Sequence, residues 1–341
     1  MVSMELSSCQ NCCSLPPLGK LPFLKKLRIC AFHAVETIGD EFYGCDSPFR
    51  SLEMLRFANM PEWNKWSFVE GIKDGAFPSL KRLYLISCPK LSGGLPISSH
   101  TITTLTIKKC GKLEIPEEPL PVLQCLHSMS ISGLPKLVSF PNGGLPARNL
   151  EYLSISQCEN LRSLPEQMHV LLPTLESLIV ANCPEIKSFP EGGLPSNLKT
   201  LHIRRCENLW SLPEQMHVLL PTLESLIVAN CPEIKSFPQG GLPSNLKTLA
   251  IGGCEELVSR WVHWDLQRLT SLESLCVGGC KDVLDSFPPD GLLPSSVTSF
   301  SILDFPQLKA QNSNAFQGLT TLDIQCCPEL QCLPEESLLN S

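Results

Sequence analysis

The cysteines are the residues of this 341-residue chain whose type and spacing could do chemistry. Cys9-x-x-Cys12-Cys13 has the spacing of half a zinc site or of a redox-active dithiol. No second pair follows at a suitable distance, and no strand–helix–strand pattern surrounds these residues. We therefore predict no metal site there.

Ten of the eighteen cysteines recur at one position of an internal repeat. Neighbouring strands lie about 4.8 Å apart, so distance alone leaves disulfides or a chain of metal ligands open. Small, soft side chains packed in a buried ladder are the simpler interpretation, with the thiols kept reduced. The ladder cysteines are Cys9, Cys88, Cys110, Cys158, Cys183, Cys206, Cys231, Cys254, Cys280 and Cys327.

Other catalytic patterns are missing from the sequence. It has no H-E-x-x-H, no G-x-S-x-G, and its Gly-Gly pairs lack the Lys-Ser/Thr of a phosphate loop. Paired carboxylates such as Glu117-Glu118 fall in proline-rich stretches, where solvated charge is the default. We predict a protein that is not an enzyme, with no catalytic residue, cofactor, metal or small-molecule substrate.

The elements that position all these residues come from the pattern L-x-x-L-x-[LIV]-x-x-[C or apolar]. It recurs about fourteen times with a mean spacing of about 24.5 residues, which lies inside the window of leucine-rich repeats. Its x-L-x-L core has the period of a strand, and one short strand cannot bury a core. Stacked copies are therefore expected to pair into a parallel sheet and pool their leucines.

The remainder of each repeat is rich in proline, which favours turns and extended returns over helices. Only 166–172, its copy 214–220 and 261–269 look able to form helical turns. The predicted fold is a helix-poor α/β solenoid, a leucine-rich-repeat horseshoe with one curved parallel sheet on its concave side. We expect a single solenoid over 1–341, and 158–201 and 206–249 are near-identical tandem copies within it.

The charge and hydrophobicity of the chain limit the classes of partner and the cellular compartment that we expect for it. The net charge is −7 and the pI is near 5.6, which does not favour nucleic acid. No apolar run approaches the 18 or so residues of a membrane span, and the N-terminus lacks a signal-peptide pattern. We predict a cytoplasmic protein with no membrane insertion.

Three segments resemble the leucine-rich-repeat region of plant intracellular immune receptors, the coiled-coil class of nucleotide-binding leucine-rich-repeat proteins. Residues 14–27 resemble the family's LPPLGxLPxLKxL segment, 35–44 its VxxIGxEFYG segment and 60–66 its MPEWxxW segment. The family's coiled-coil and nucleotide-binding domains are not in this sequence, and Met1 already lies inside a repeat. The resemblance implies a receptor fragment truncated at both ends.

The x positions of the predicted strands form the concave face, and positive charge clusters there in the N-terminal third. Further along, the face becomes small and mixed in character. An acidic protein partner would complement this charge. The predicted partner-binding residues are Lys25, Lys26, Arg28, Arg56, Lys81, Arg82, Tyr84, Lys108, Lys109, His202, Arg204 and Arg205.

The resemblance implies a protein-recognition module of plant defence. Its partner would be a pathogen effector or the receptor's own nucleotide-binding module. The alternative is the substrate-recognition part of an F-box leucine-rich-repeat ubiquitin ligase, which also carries cysteine-containing repeats. An extracellular repeat receptor is a third interpretation, but the sequence has no N-x-[ST] glycosylation site.

Overall fold

The computed structural model describes residues 1–67, 76–94, 100–114, 123–141, 143–279, 287–288, 292–309, 316 and 318–331. The chain divides into two compact units, Met1–Leu175 and Glu176–Ser341. Both units are β-solenoids built from the same repeat. A single solenoid over 1–341 stays a prediction.

The first unit has a parallel sheet of five-residue strands that follow one another at successive repeats. A second, two-stranded parallel sheet pairs β3 (Thr37–Ile38) with β5 (Lys65–Trp66). The strands of the main sheet are β1 (Ser3–Ser7), β2 (Lys26–Cys30), β4 (Met54–Ala58), β6 (Arg82–Ile86), β7 (Thr104–Lys108), β8 (Ser128–Ser132) and β9 (Tyr152–Ser156).

The second unit repeats this arrangement, again with five-residue strands paired in parallel in chain order. Its strands are β10 (Ser177–Ala181), β11 (Thr200–Arg204), β12 (Ser225–Ala229), β13 (Thr248–Gly252), β14 (Ser274–Gly278), β15 (Ser299–Leu303) and β16 (Thr321–Gln325). Every five-residue strand of the two units lies on a repeat that the leucine spacing predicts.

Helices are short and few among the described residues. The predicted helical turns form as α2 (Met168–Leu171), α3 (Met216–Leu219) and two 3-10 turns within 261–268. Three further helical elements were not predicted from the sequence. They are α1 (Asp40–Tyr43), α4 (Glu255–Ser259) and a 3-10 turn at Leu18–Lys20. The confirmed fold class is therefore a helix-poor leucine-rich-repeat solenoid.

The core is a ladder of aliphatic side chains, in which the register places equivalent leucines beside one another. Leu178 pairs with Leu201, which pairs with Leu226, and all three are fully buried. Each fully buried leucine is worth roughly 1.5–3 kcal/mol relative to an exposed one. Since each strand packs on its two neighbours, this stabilisation exists only in the stack.

Each described ladder cysteine lies two residues after the end of its strand. Cys88, Cys110, Cys158, Cys183, Cys206, Cys231 and Cys254 are buried, whereas Cys9 and Cys327 are partly exposed. Each thiol donates a hydrogen bond to the carbonyl two residues earlier, as Cys158 Sγ does to Ser156 O at 3.4 Å. Cys280 lies outside the described residues. The sixteen cysteines of the described ranges are all free thiols.

Burial also raises the pKa of Cys254 to about 12, which keeps this thiol protonated at neutral pH. We therefore expect a thiol reagent to modify the exposed Cys12, Cys13, Cys45 and Cys326 of the native protein. The buried ladder should react only after denaturant is added, which mass spectrometry of tryptic peptides would map. Rapid native labelling of Cys206 or Cys231 would contradict this packing.

An aromatic cluster fills the first unit beside the small sheet of β3 and β5. Phe57 lies 4.7 Å from Trp63 between ring centroids and 5.3 Å from Trp66. The indole nitrogen of Trp66 donates to the Tyr43 hydroxyl at 2.9 Å, and that hydroxyl donates to Ser67 O at 3.1 Å. The segments 35–44 and 60–66, which carry the family resemblance, thus build a buried core.

Replacing Tyr43 with Phe should destabilise the first unit by about 1–3 kcal/mol, because the Trp66 N–H loses its buried acceptor. Burial raises the pKa of Tyr43 from 10.0 to about 12, so this tyrosine favours folding below pH 10 and loses that contribution as pH rises to 12. Urea titrations between pH 10 and 12 should show that the free energy of unfolding falls less steeply with pH in Tyr43→Phe than in the parent protein. Tyr84→Phe, which changes a half-buried tyrosine, is the control. An equal fall of the unfolding free energy in all three proteins would show that Tyr43 does not cause the pH dependence.

Candidate protein-recognition surface

The side chains that alternate with the core leucines project from the sheet to solvent, and we call this surface the open face. In β6, Leu83 and Leu85 are fully buried, whereas Arg82, Tyr84 and Ile86 are half-buried. Parallel pairing in register places equivalent open-face residues on adjacent strands side by side. A feature shared by neighbouring repeats therefore becomes a continuous row.

The middle row of the first unit brings predicted residues together. Arg28 on β2 pairs with Arg56 on β4, which in turn pairs with Tyr84 on β6. One row over, Lys26 and Arg82 flank Met54 from either side. The predicted residues on β2, β4 and β6 thus form one contiguous patch.

Lys109 and Arg205 depart from the prediction that they lie on the strands. Each is the residue after its strand, with a φ of 55° and 53° respectively. A left-handed residue at this point turns the chain out of the sheet, and the same conformation recurs after the other strands of both main sheets. Both side chains are exposed, but at the edge of the open face.

Ion pairs neutralise part of the predicted basic cluster. Glu53, which precedes β4, lies between two predicted residues, at 3.2 Å from Lys25 Nζ and 3.6 Å from Lys81 Nζ. Arg28 reaches Glu5 of β1 at 3.5 Å. The hydrogen bond from Lys25 and the charge of Lys81 lower the pKa of Glu53, so the carboxylate stays ionised at neutral pH. Glu53 was not among the residues predicted for this surface, and its charge offsets part of the positive charge of Lys25 and Lys81.

Five of the eight predicted cations of the first unit have no acidic partner among the described residues. We call Lys26, Arg56, Arg82, Lys108 and Lys109 the free-cation cluster. They come from four consecutive strands of the sheet and the turn after the last of them. Unpaired cations held on neighbouring rigid strands create a local positive potential in a chain of net charge −7.

A hollow borders the cluster at the edge where the strands begin. Lys25, Glu53 and Lys81 line it together with Arg50 and Thr103. Ser51 and Ser79 contribute to the same wall, and their hydroxyls donate to Pro22 O and Arg50 O at 2.7 Å. Arg50 and these hydroxyls were not predicted, because they precede the strands and carry no repeat signal of their own.

The open face of the second unit has a different character. Its first row carries a hydroxyl on every strand, from Ser177 to Thr321. Its middle row is mixed, with apolar residues such as Ile179 and Ile227 beside the polar His202, Ser301 and Asp323. The residues just before the strands alternate in sign, and Lys199 and Lys247 pair with Glu176 and Glu224 at 2.8 and 3.1 Å.

The remaining predicted residues fall on β11 and the turn after it. Arg204 and Arg205 are exposed and have no ion-pair partner among the described residues. His202 is half-buried in the middle row, 3.4 Å from Ser225 Oγ. Burial, followed by the charge of Arg204, lowers the pKa of His202, which makes this imidazole neutral at physiological pH. The predicted residues of this unit therefore supply two cations.

The described residues show no other arrangement with a chemical role. No three or more His, Cys, Asp or Glu side chains in them are placed to share a metal ion. A cleft of about 380 Å³ in the second unit is bordered by Phe237, Trp264, Arg260 and Arg268. Both arginines are already paired with neighbouring carboxylates, at 3.3 and 2.6 Å, so we assign this cleft no ligand. None of the helices in these ranges has the length and apolar character to cross a bilayer.

Known proteins resemble this chain in sequence and in fold. The putative disease resistance RPP13-like protein 1 of Arabidopsis thaliana is 40% identical over 174 residues, which are 48% of this chain and 16% of that protein. The putative disease resistance protein RGA1 of Solanum bulbocastanum is 31% identical over 171 residues, with the same shares. The circular leucine-rich-repeat protein CroV588 superimposes with a TM-score of 0.55 at 16% identity, covering 92% of this chain and 45% of that one. Comparison with protein-family profiles gave no match.

This chain is a leucine-rich-repeat protein whose relatives are plant disease resistance proteins. It spans about a sixth of the length of those relatives. The relatives agree with the resemblance seen in the sequence and give the F-box alternative no support. The CroV588 likeness concerns the fold alone.

The Glu53 ion pairs should control how accessible Lys25 and Lys81 are. Removing the carboxylate in Glu53→Gln should raise the acylation rate of both lysines by roughly twofold to fivefold, since exposed ion pairs are worth about 0.2–1 kcal/mol. Mass spectrometry after a brief pulse of an acylating ester would measure the rates. Lys136, which pairs with Glu114, is the internal control. Unchanged rates at Lys25 and Lys81 would show that Glu53 does not hold them.

Proposed function

We propose that this chain is the recognition module of a plant intracellular immune receptor and binds a protein partner through its open face. The observation that carries the proposal is the free-cation cluster on β2, β4, β6 and β7. The disease resistance relatives supply the biological setting. In this proposal the chain works in the cytoplasm and catalyses no reaction.

The cluster fits an acidic protein surface better than a small ligand. Its cations are spread over four strands, each about 4.8 Å from the next, so together they span a distance that suits a protein surface. Arg56 and Arg82 have planar guanidinium groups, each of which can donate two parallel hydrogen bonds to one carboxylate. Tyr84, beside Arg56, adds an aromatic ring of the kind that often anchors protein interfaces.

The resemblance offers two partners with this chemistry: the nucleotide-binding module of the same receptor and an acidic pathogen effector. Either would dock by electrostatic complementarity, which mainly raises the association rate and fixes the register of the complex. Binding of the first would hold a receptor together, and binding of the second would report an infection. The experiment must therefore test the two separately.

The test reverses the charge of Lys26, Arg56, Arg82 and Lys108 to Glu. Lys25, Lys81 and Arg28 are left alone because their ion pairs already neutralise them. Biosensor titrations would use a purified nucleotide-binding module of this receptor class in one arm and purified acidic effectors in the other. We expect at least a tenfold loss of affinity in the arm that holds the true partner, and a weaker dependence of binding on salt.

A matched control carries the same change in net charge on the returns of the first unit. Lys20, Lys90, Lys112 and Lys136 are changed to Glu together, and all four lie off the open face. This control should bind within about twofold of the parent protein. Equal losses in both variants would mean that total charge rather than the open face governs binding, and no loss in either would overturn the proposal.

A further inference from the structure

The two tandem copies provide an internal comparison that isolates one surface side chain. Over residues 158–201 and 206–249 they differ at two positions, Arg162 against Trp210 and Glu191 against Gln239. Arg162, Glu191 and Gln239 are polar and Trp210 is aromatic, and all four side chains lie at the surface. Because the buried positions are identical in the copies, the fold does not require an indole at position 210.

Trp210 is exposed to an unusual degree for its size. Its side chain is 60% accessible, and it is the one exposed aromatic residue among the described residues of the second unit. It lies on the return after β11, away from the open face, between the buried Leu209 and Leu212. Burying such a ring against a partner contributes more binding free energy than burying a small side chain, because more apolar area is removed from water. Tryptophan is therefore enriched in the hot spots of interfaces.

Lysines occupy the equivalent positions on the returns before and after Trp210. The backbone N–H of Trp210 donates to Lys187 O at 3.2 Å, so these two returns lie directly side by side. Lys235 is the equivalent residue of the next repeat, and its ladder cysteine, Cys231, contacts the Cys206 of the Trp210 repeat. Both lysines are exposed, and neither has an ion-pair partner among the described residues.

Each of these three returns also carries a glutamate. Glu185 and Glu233 lie two residues before Lys187 and Lys235, and Glu207 lies three residues before Trp210. A partner must therefore place its acidic groups on the lysine side of the surface. Gln239, which replaces the Glu191 of the first copy, removes a carboxylate from the return that carries Lys235.

We propose that Trp210, Lys187 and Lys235 form a second docking surface, for an acidic protein segment that carries an apolar side chain. The apolar side chain packs on the indole, and flanking carboxylates pair with the two ammonium groups. The net charge of −7 opposes a second copy of this chain as the occupant. The surface lies on the returns, so it is separate from the open face and does not depend on the function proposed above.

The test uses the full chain and a fluorescein-labelled peptide in which a Phe-Leu pair is flanked by runs of glutamate. A control peptide has lysines in place of the glutamates. Fluorescence anisotropy should show binding of the acidic peptide and at least tenfold weaker binding of the lysine peptide. Trp210→Arg, which restores the residue of the first copy, should weaken binding of the acidic peptide by at least about tenfold.

Two further variants separate the indole from its lysines. Lys187→Glu combined with Lys235→Glu should remove the preference for the acidic peptide while leaving Trp210 in place. Arg162→Trp puts an indole at the equivalent site of the first copy, where Val138 replaces a lysine on the preceding return. This variant should not create a second site of equal affinity. Circular dichroism and the thermal midpoint would show that each variant folds.

Three results would overturn the proposal. Unchanged affinity of Trp210→Arg would show that the indole makes no contact, and equal binding of both peptides would show that the lysines select nothing. A dimer in light scattering that Trp210→Arg disperses would make a second copy the occupant. Charge reversal of Lys26, Arg56, Arg82 and Lys108 should leave peptide binding intact, so failure here is distinguishable from failure of the open-face proposal.

Discussion

A five-residue strand with two core-facing leucines cannot bury those leucines by itself, and this constraint shapes each unit of the protein. The leucines become buried only when the next repeat places its own strand alongside in register, as Leu201 does between Leu178 and Leu226. Burial and parallel pairing are therefore one event rather than two. The positions that alternate with the leucines lie outside this core, so most of their side chains are accessible to other molecules.

The same constraint explains the roles of the cysteines and the aromatic residues. A small thiol fits where each strand ends and donates to the carbonyl two residues earlier, so a residue that could do redox chemistry works here as part of the core. The motifs around Tyr43, Trp63 and Trp66 pack into one cluster with a hydrogen-bonded centre. Resemblance to the disease resistance family thus rests partly on residues that stabilise the fold, and these residues need not touch a partner.

The strands of the main sheet could be predicted because their apolar residues alternate with other residues, and because this alternation recurs about every 24 residues. The small sheet of β3 and β5 could not, since two-residue strands carry no periodicity. The open-face patch was predictable in position but not in charge. Glu53 lies 28 residues from both Lys25 and Lys81, and only the strand register shows that it faces both.

The turn positions show a similar limit. Lys109 and Arg205 follow the strands directly, so the sequence alone places them on the open face. Each has a left-handed backbone conformation, however, and this turns the chain out of the sheet at that residue. The contrast between Trp210 and Arg162 was visible in the sequence from the start. Whether Trp210 can serve as a docking residue depends on its exposure and on the residues of the neighbouring returns, which only the structure shows.

We propose that the unpaired cations of the open face recognise a protein partner. A lysine-acylation footprint of the chain, taken with and without the bound partner, measures this most directly because it reads individual side chains. We expect the partner to protect Lys26 and Lys108 and to leave Lys20 and Lys112 on the returns reactive. Protection of Lys20 and Lys112, with Lys26 and Lys108 still reactive, would contradict it.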